Sequence, residues 1–385
     1  MAWVCYGIRG GNLIDGKYIR VGAVCKFKPR LNERKLQKRV ITRCVNNSDD
    51  RFVDLPSTVV HLHDSKSGCD ILVIGCVHGS FQSAADVEKV FELTQHASHT
   101  SVVLELCDQR LKTLRAPVVS DSKKNRNHKL PLNKYIRNFG GIGPGILAFI
   151  LSSFYRIHTA IGLEPGIEFR AAVEYAKSRP NSVLICGDAT AVQTIRRLYS
   201  SMSPATIFSG LPEAISRLFP YFFGSRQNSK HERVNFFQIL SEKKRVQEMS
   251  VLLLPVFLFS VLFIQIGSGI FEILTSSMIN TTHAQASPDT LYPSEDYIFL
   301  MNISENIGVA FIVLLSCIWV IRFFDEIVIH RDLILYESIQ NEIQSITRSR
   351  NQANITIESP VVIAVVGLLH VNGIVQHFTR NNTSE

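Results

Sequence analysis

The sequence predicts an α/β fold in which helices flank a mainly parallel central sheet and a hydrophobic helical hairpin is inserted. Four short apolar runs rich in Val, Ile and Leu are typical of buried parallel strands: Ile71–Gly75, Ser101–Leu106, Ser182–Gly187 and Val361–Gly367. Helical patterns follow the first three runs. This alternation of strands and helices indicates a sheet with right-handed crossovers.

The helices are predicted from apolar spacing and capping residues. Ser83 is expected to cap a helix over Ala84–Gln95, and amphipathic patterns predict helices over Glu168–Ser178 and Thr190–Leu198. The glycine-rich segment 140–145 precedes an apolar helical pattern at Ile146–Tyr155. It lacks GxGxxG spacing and follows no convincing strand, so we interpret it as a flexible connection and not as a phosphate-binding loop.

The positive charge is concentrated in a basic N-terminal arm, residues 1–51. The first fifty residues hold eleven Lys/Arg against four Asp/Glu, a net +7 out of the chain's +8. A nucleic-acid-binding protein usually carries its basic excess on a folded face, so no nucleic-acid partner is expected. The arm fits a solvated tail, a segment attracted to anionic lipid, or a mitochondrial transit peptide.

The cysteine pattern favours a reducing compartment. Eight cysteines show no CxxC pair and no compact framework, and several lie in or beside apolar strand-like runs. A thiol in such a place behaves as a small hydrophobic group and not as half of a disulfide.

A hydrophobic insert, residues 246–324, divides the α/β domain into a first part, 52–245, and a final part, 325–385. Residues 249–271 form an uncharged run long enough to cross about 30 Å of hydrocarbon, and a weaker run covers 306–324. Basic residues flank the pair, while the connecting segment is acidic. The positive-inside rule then predicts a transmembrane hairpin with the sheet on the cytosolic side. Two long buried helices are the alternative.

An ionisable residue follows each predicted strand. These residues are His78, Glu105, Asp188 and His370. Because ligands bind where the carboxyl ends of parallel strands converge, we expect these side chains to share one edge of the sheet. The first and last strands also repeat a Gly-x-x-His pattern, in which glycine is expected to let the chain bend off the strand.

Two histidines and one carboxylate match the ligand set of a catalytic transition metal. His78, Glu105 and His370 are therefore the candidate metal ligands. Each residue also has an ordinary structural interpretation. Either histidine could be a hydrogen-bonded turn residue, Glu105 could pair with Arg110, and Asp188 could cap the helix that begins near Thr190.

The order of several short segments resembles the TraB/PrgY family. The segments that carry the resemblance are ILVIGCVHGSFQS, VVLELCDQR, GLEPGIEFR with the next two alanines, Gly187-Asp188 with Thr194-Ile195-Arg196-Arg197, His330-Arg331-Asp332, and GLLHVNGI from Gly367. They run in register from about residue 52 to residue 376. The chain departs from the family pattern at Ala189, where Arg is usual, and at His330, where Glu is usual. These departures put a charge network in doubt.

The resemblance implies relatedness to TIKI-type metal-dependent peptidases, erythromycin esterases and ChaN-like proteins. It implies a centre of two histidines and Glu105, and a link of eukaryotic members to the mitochondrial outer membrane. The expected cofactor is a divalent metal (Mn, Co or Zn), and the expected substrate is a peptide or protein. Arg110 and Arg170 would hold a carboxylate or an oxyanion, and Asp188 would orient a histidine.

A non-catalytic membrane adaptor is the rival interpretation. Ala189 and His330 favour it, because the family's usual charges are lost at these two positions. A nucleotide-dependent enzyme is not expected, since the chain has no P-loop and no dinucleotide fingerprint.

Overall fold

The computed structural model describes residues 54–115, 131–160, 166–223, 295–353 and 360–383, together with the single positions 52, 234, 239, 265, 269 and 273. Five strands form one sheet in the order β1-β2-β5-β3-β4. They are β1 (Val59–Asp64), β2 (Cys69–Cys76), β3 (Thr100–Leu104), β4 (Ser182–Cys186) and β5 (Val361–Gly367). Strand β1 pairs antiparallel with β2, and the other neighbours are parallel. The predicted α/β class is therefore confirmed.

The helices of the described ranges cover both faces and the carboxyl edge of the sheet. They are α1 (Phe81–Leu93), α2 (Asp108–Arg115), α3 (Leu132–Phe139), α4 (Ile142–Ala160), α5 (Ile167–Ser178), α6 (Ala191–Ser201), α7 (Pro204–Ile207), α8 (Leu211–Phe223), α9 (Glu295–Phe324), α10 (His330–Ala353) and α11 (Leu368–Thr383). A five-residue π-helix, Asp325–Ile329, joins α9 to α10. The prediction placed Ser83 at the cap of the first helix, but α1 begins earlier and Ser80 caps it, accepting from the Ser83 backbone N–H.

The core lies on both faces of the sheet. Alternate residues of β5 point to opposite sides: Val362, Ala364 and Val366 pack with α10 and α11, while Ile363 and Val365 pack with α1 and α5. All seven residues of β5 are buried. A strand buried on both faces has no polar side, which explains the continuous apolar run in the sequence.

The glycine-rich segment 140–145 is not a flexible connection, contrary to the prediction. Gly140 closes α3 in the left-handed conformation, with φ of 77°, and α4 begins only two residues later. A Cβ on Gly145 would lie 2.5 Å from the Ile136 Cα. The glycine therefore permits α3 and α4 to approach closely, backbone to backbone.

The predicted hairpin is described only in its second half. Residues 306–324 lie in α9, while the run 249–271 falls outside the described residues except at positions 265 and 269. Within the part of the chain that the structure describes, no helix combines the length and apolarity needed to cross a membrane. The basic arm, residues 1–51, also lies outside the described residues.

Candidate active site

Three predicted residues meet at the carboxyl edge of the sheet. His78 follows β2, Glu105 follows β3, and His370 lies in the first turn of α11, directly after β5. These three strands are neighbours, with β5 in the centre. The Glu105 Oε1 atom lies 3.7 Å from the His78 Nε2 and 3.5 Å from the His370 Nε2. The fold thus brings two imidazoles to one carboxylate.

A second carboxylate fixes the orientation of His78. Glu168, on α5, is buried; its Oε1 lies 2.9 Å from the His78 Nδ1, and its Oε2 accepts from the Gly79 N–H at 3.2 Å. Burial alone would lower the pKa of His78, but Glu105 and Glu168 outweigh it and raise the pKa to about 9. His78 is therefore an imidazolium at neutral pH. Its side chain is 14% exposed, the highest value among these residues of the centre.

His370, in contrast to His78, is held as a neutral ring. Its Nδ1 lies 2.6 Å from the Asp332 Oδ1, and its Nε2 lies 3.2 Å from the Arg331 Nη1. Because a guanidinium only donates, the Nε2 accepts, and a neutral ring carries its proton on Nδ1. Burial lowers the pKa of His370 to about 3, with the charges of Arg331 and His78 acting in the same direction.

The Arg331 guanidinium links Glu105 and His370 to Asp188. Its Nη2 donates to the Glu105 Oε1 at 2.5 Å and to the Asp188 Oδ2 at 2.7 Å, and its Nε donates to the Asp188 Oδ1 at 3.3 Å. The second oxygen of Glu105 accepts from the Gly367 N–H. Burial would raise the pKa of Glu105, but the charge of Arg331, followed by those of the histidines, holds it well below its usual range. Glu105 is therefore a carboxylate.

The structure gives Arg110 and Asp188 partners that the sequence did not predict. Arg110 donates to the Glu105 backbone carbonyl at 3.3 Å. Asp188 does not cap α6, where Thr190 forms the capping box, and its predicted role in orienting a histidine stays a prediction. It binds Arg331 through both oxygens, because the side chain of Arg331 reaches this edge from α10. Arg170 lies partly buried on α5, and its predicted role stays a prediction.

The glycines of the two Gly-x-x-His patterns provide space and not a bend. Neither Gly75 nor Gly367 has a positive φ. A Cβ on Gly367 would lie 2.9 Å from the His78 Nε2 and 3.2 Å from the Glu105 Oε2, and one on Gly75 would lie 2.7 Å from side-chain atoms of α11. A side chain at position 367 would therefore occupy the centre itself.

A partly buried ion-pair cluster holds the segment that carries Arg331. Asp325, at the start of the π-helix, accepts from the Arg217 Nε at 3.0 Å and Nη2 at 2.8 Å, and from the Arg322 Nη1 at 3.2 Å. Arg217 belongs to α8, so the cluster fixes α8 to the α9–α10 junction. A π-turn changes the rotation of the helix that follows it. Both Arg331 and Asp332 point into the site and are almost fully buried.

The predicted metal does not fit this arrangement. A divalent ion shared by His78, Glu105 and His370 needs bond lengths near 2 Å. The Arg331 guanidinium already contacts Glu105 and His370, and it would repel a second cation there. In the described ranges, no three His, Cys, Asp or Glu side chains have the geometry of a metal site.

Sequence reasoning missed three residues of the site as functional residues: Glu168, Arg331 and Asp332. Each was noticed only as part of a family-like segment, GLEPGIEFR or His330-Arg331-Asp332. The available signal was the presence of charged residues in helices that carry an apolar face. Glu168, for example, lies directly before the buried Phe169.

Comparison with known proteins identifies relatives over part of the chain. A TraB domain-containing protein of Bos taurus is 29% identical over 154 residues, which is 39% of this chain and 39% of the relative. TraB domain-containing proteins of Mus musculus and Homo sapiens are each 28% identical, over 153 and 151 residues. The chain thus matches about two-fifths of the length of these relatives. No family model matches the chain. The three matches, together with the ordered motifs, support membership of the TraB family.

Proposed function

We propose that this chain is a membrane-tethered, hydrolase-like member of its family whose His78, Glu105 and His370 centre acts on the carbonyl group of a peptide bond. The observation that supports this most directly is the His78 imidazolium, held between the Glu105 and Glu168 carboxylates and partly exposed. A positioned imidazolium donates a proton or a hydrogen bond to a reacting group.

The proposed reaction uses His78 as the general acid. Water adds to the carbonyl carbon, the C–N bond breaks, and the leaving amine takes a proton from the His78 Nε2. The proton released by water returns to His78, so that the enzyme is regenerated. Glu105 stabilises the imidazolium before the transfer, and Arg331 supplies a fixed positive charge beside Glu105 as the reaction's charges change. Arg110 and Arg170 stay proposed as groups that hold a substrate carboxylate or an oxyanion.

The experiment compares peptide hydrolysis by the purified full chain with that of His78→Ala and His370→Ala. His63→Ala is the matched control, because the His63 Nδ1 also contacts a carboxylate, Asp70 at 2.9 Å, but on the edge strand β1. We expect the two site variants to lose hydrolysis and the control to keep it. Equal rates in all four proteins would refute the centre.

The divalent metal predicted from the sequence stays a prediction, and elemental analysis can test it. Stoichiometric Mn, Co or Zn in the native protein, absent from His78→Ala, would show that the centre holds a metal. The steps proposed above use no metal. Activity that survives thorough chelation would agree with them.

A non-catalytic adaptor is the second candidate. It is favoured by the ion pairs of Arg331 with Glu105 and Asp188, which bind these groups to each other. Turnover separates the two candidates. An adaptor should keep partner binding after both histidines are replaced, provided that the variant stays folded.

The membrane tether is proposed from the uncharged run 249–271 and from the apolar surface of α9. Ile307, Phe311 and Leu314 recur at helical spacing and are 63%, 56% and 56% exposed. A lipid bilayer would cover such a surface, with the α/β domain in the cytosol and the mitochondrial outer membrane as the proposed location. Extraction at alkaline pH tests the tether, because a spanning protein stays in the pellet and full release would exclude it.

A further inference from the structure

A cleft of about 610 Å³ lies beside the centre, between α6 and α10 at the carboxyl end of β4. Its volume is within the range of small-molecule and peptide sites, roughly 300–1,000 Å³. Asp188 lies between the cleft and the centre, because it lines the cleft while its carboxylate binds Arg331. Arg331 in turn binds Glu105. One arginine side chain therefore separates the cleft from the reacting groups.

The cleft is electrically positive. Arg196 and Arg197 line it, Arg196 exposed and Arg197 half-buried. Asp188 is the one carboxylate among the lining residues, and its buried side chain already forms an ion pair with Arg331. Among the described residues, no carboxylate lies within ion-pair distance of Arg196 or Arg197, and Glu326 acts on Arg197 only through a longer-range charge interaction.

The arginines differ in how firmly they are held. The Arg196 Nε donates to the Phe139 carbonyl at the end of α3 at 3.0 Å, and its guanidinium lies against Gly140, where a Cβ would collide with it. Its terminal nitrogens make no hydrogen bond within the described ranges. Arg197 likewise makes none there. A held guanidinium beside a less constrained one suits a carboxylate, which accepts two parallel N–H bonds.

The remaining lining residues can contact the rest of a bound molecule that carries such a carboxylate. Ser338 forms part of the floor and donates to the Gly187 and Ile334 carbonyls, each at 2.9 Å. A Cβ on Gly187 would lie 2.7 Å from the Val103 Cγ1, so the floor is closely packed. Ile334 adds an apolar surface. An inorganic anion would fill only a small part of this volume.

We propose that the cleft binds the C-terminal carboxylate of a peptide, with Arg196 and Arg197 as the residues that hold it. The choice of a peptide rests on the proposed function, but binding can be measured without turnover. The carboxylate would be anchored on the α6 side, and the peptide would extend past Asp188 towards His78. The activity would then be directed to bonds near a free C-terminus.

The test titrates the full chain with N-acetylated tetra-alanine in two forms, the free acid and the C-terminal amide, by calorimetry. We expect the acid to bind at least about 10-fold more tightly, and Arg197→Ala to remove that preference. Arg348→Ala is the matched control, since it removes an exposed arginine from α10 outside the cleft. It should leave both affinities unchanged.

Several results would overturn the proposal. These are equal affinity for acid and amide, binding of neither, or an acid preference that survives in Arg196→Ala and Arg197→Ala. Binding of inorganic phosphate that depends on Arg197, without binding of the acid peptide, would reject the peptide assignment. If Arg197→Ala is unfolded by circular dichroism, Arg197→Gln replaces it. His78→Ala separates the two proposals: it should abolish hydrolysis and keep acid-selective binding, so each can fail alone.

Discussion

The charge of His78 can be tested through the pH dependence of stability. A pKa raised from 6.5 to about 9 corresponds to about 3 kcal/mol, at about 1.4 kcal/mol for each pH unit. Because the folded protein binds this proton more tightly than the unfolded chain, the stabilisation is fully present below pH 6.5. It decreases between pH 6.5 and 9 and is lost above that. Since the side chain is only 14% exposed, solvent screens this effect little.

Glu168→Gln is the perturbation. It keeps the size of the side chain but removes the charge beside the His78 Nδ1, so burial should weigh more and the pKa of His78 should fall. We expect the loss of unfolding free energy between pH 6.5 and 9 to shrink from about 3 to roughly 1–2 kcal/mol, measured by urea denaturation at each pH. Imidazole NMR resonances, assigned with His78→Ala, give the pKa directly.

Glu342→Gln is the matched control for this experiment. Glu342 is also a largely buried glutamate and accepts from the Ser101 hydroxyl at 2.6 Å, at the opposite end of β3. Its substitution should leave the dependence between pH 6.5 and 9 unchanged. The reasoning would be refuted if wild type and Glu168→Gln lost the same free energy over this interval, or if His78 titrated near 6.5 in the wild type.

Three further predictions concern the same edge of the sheet. Gly367→Ala should lower the unfolding free energy by about 1–3 kcal/mol in urea denaturation and should shift the pKa of His78. Gly75→Ala, which crowds only α11, should lower the stability without changing that pKa. A pKa shift in both variants would contradict the prediction. Arg331→Met leaves two buried carboxylates without their cation and should cost about 3–5 kcal/mol, so unchanged thermal unfolding would argue against the pairing. Because burial keeps His370 neutral in the folded state, the unfolding free energy should fall as pH decreases from 6.5 towards 3. His370→Gln should remove that contribution. The same dependence of stability on acid pH in wild type and His370→Gln would disprove the prediction.

The sheet could be predicted because its parallel strands are buried on two faces. Such strands appear as continuous apolar runs, and all four runs are strands of the structure. Strand β1 was not predicted as a strand. It is an edge strand with alternating burial, in which His61 and His63 share the Asp70 carboxylate, and polar residues obscure its pattern. In a strand of six residues, burial on one face gives a weaker hydrophobic pattern in the sequence than burial on both faces.

Part of the site could be predicted for a reason of topology. A residue directly after a buried parallel strand lies at the carboxyl edge whatever the strand order, so His78, Glu105 and His370 needed no knowledge of the helices. Arg331 lies 226 positions after Glu105, on a helix. Nothing in helical periodicity states which helix crosses the edge, or at which turn. The partners that set the charges therefore could not be derived from spacing.

Arg331 determines which chemistry is available at this edge. A divalent ion and a guanidinium both provide positive charge, but an ion also lowers the pKa of bound water, whereas a guanidinium does not release its proton near neutral pH. With Arg331 in contact with Glu105 and His370, the proposed reaction transfers the proton on His78. A metal-dependent reaction would first require Arg331 to leave both contacts and would leave Asp188 buried beside the ion. The position of a single side chain thus separates an acid-catalysed centre from a metal centre built from the same histidines.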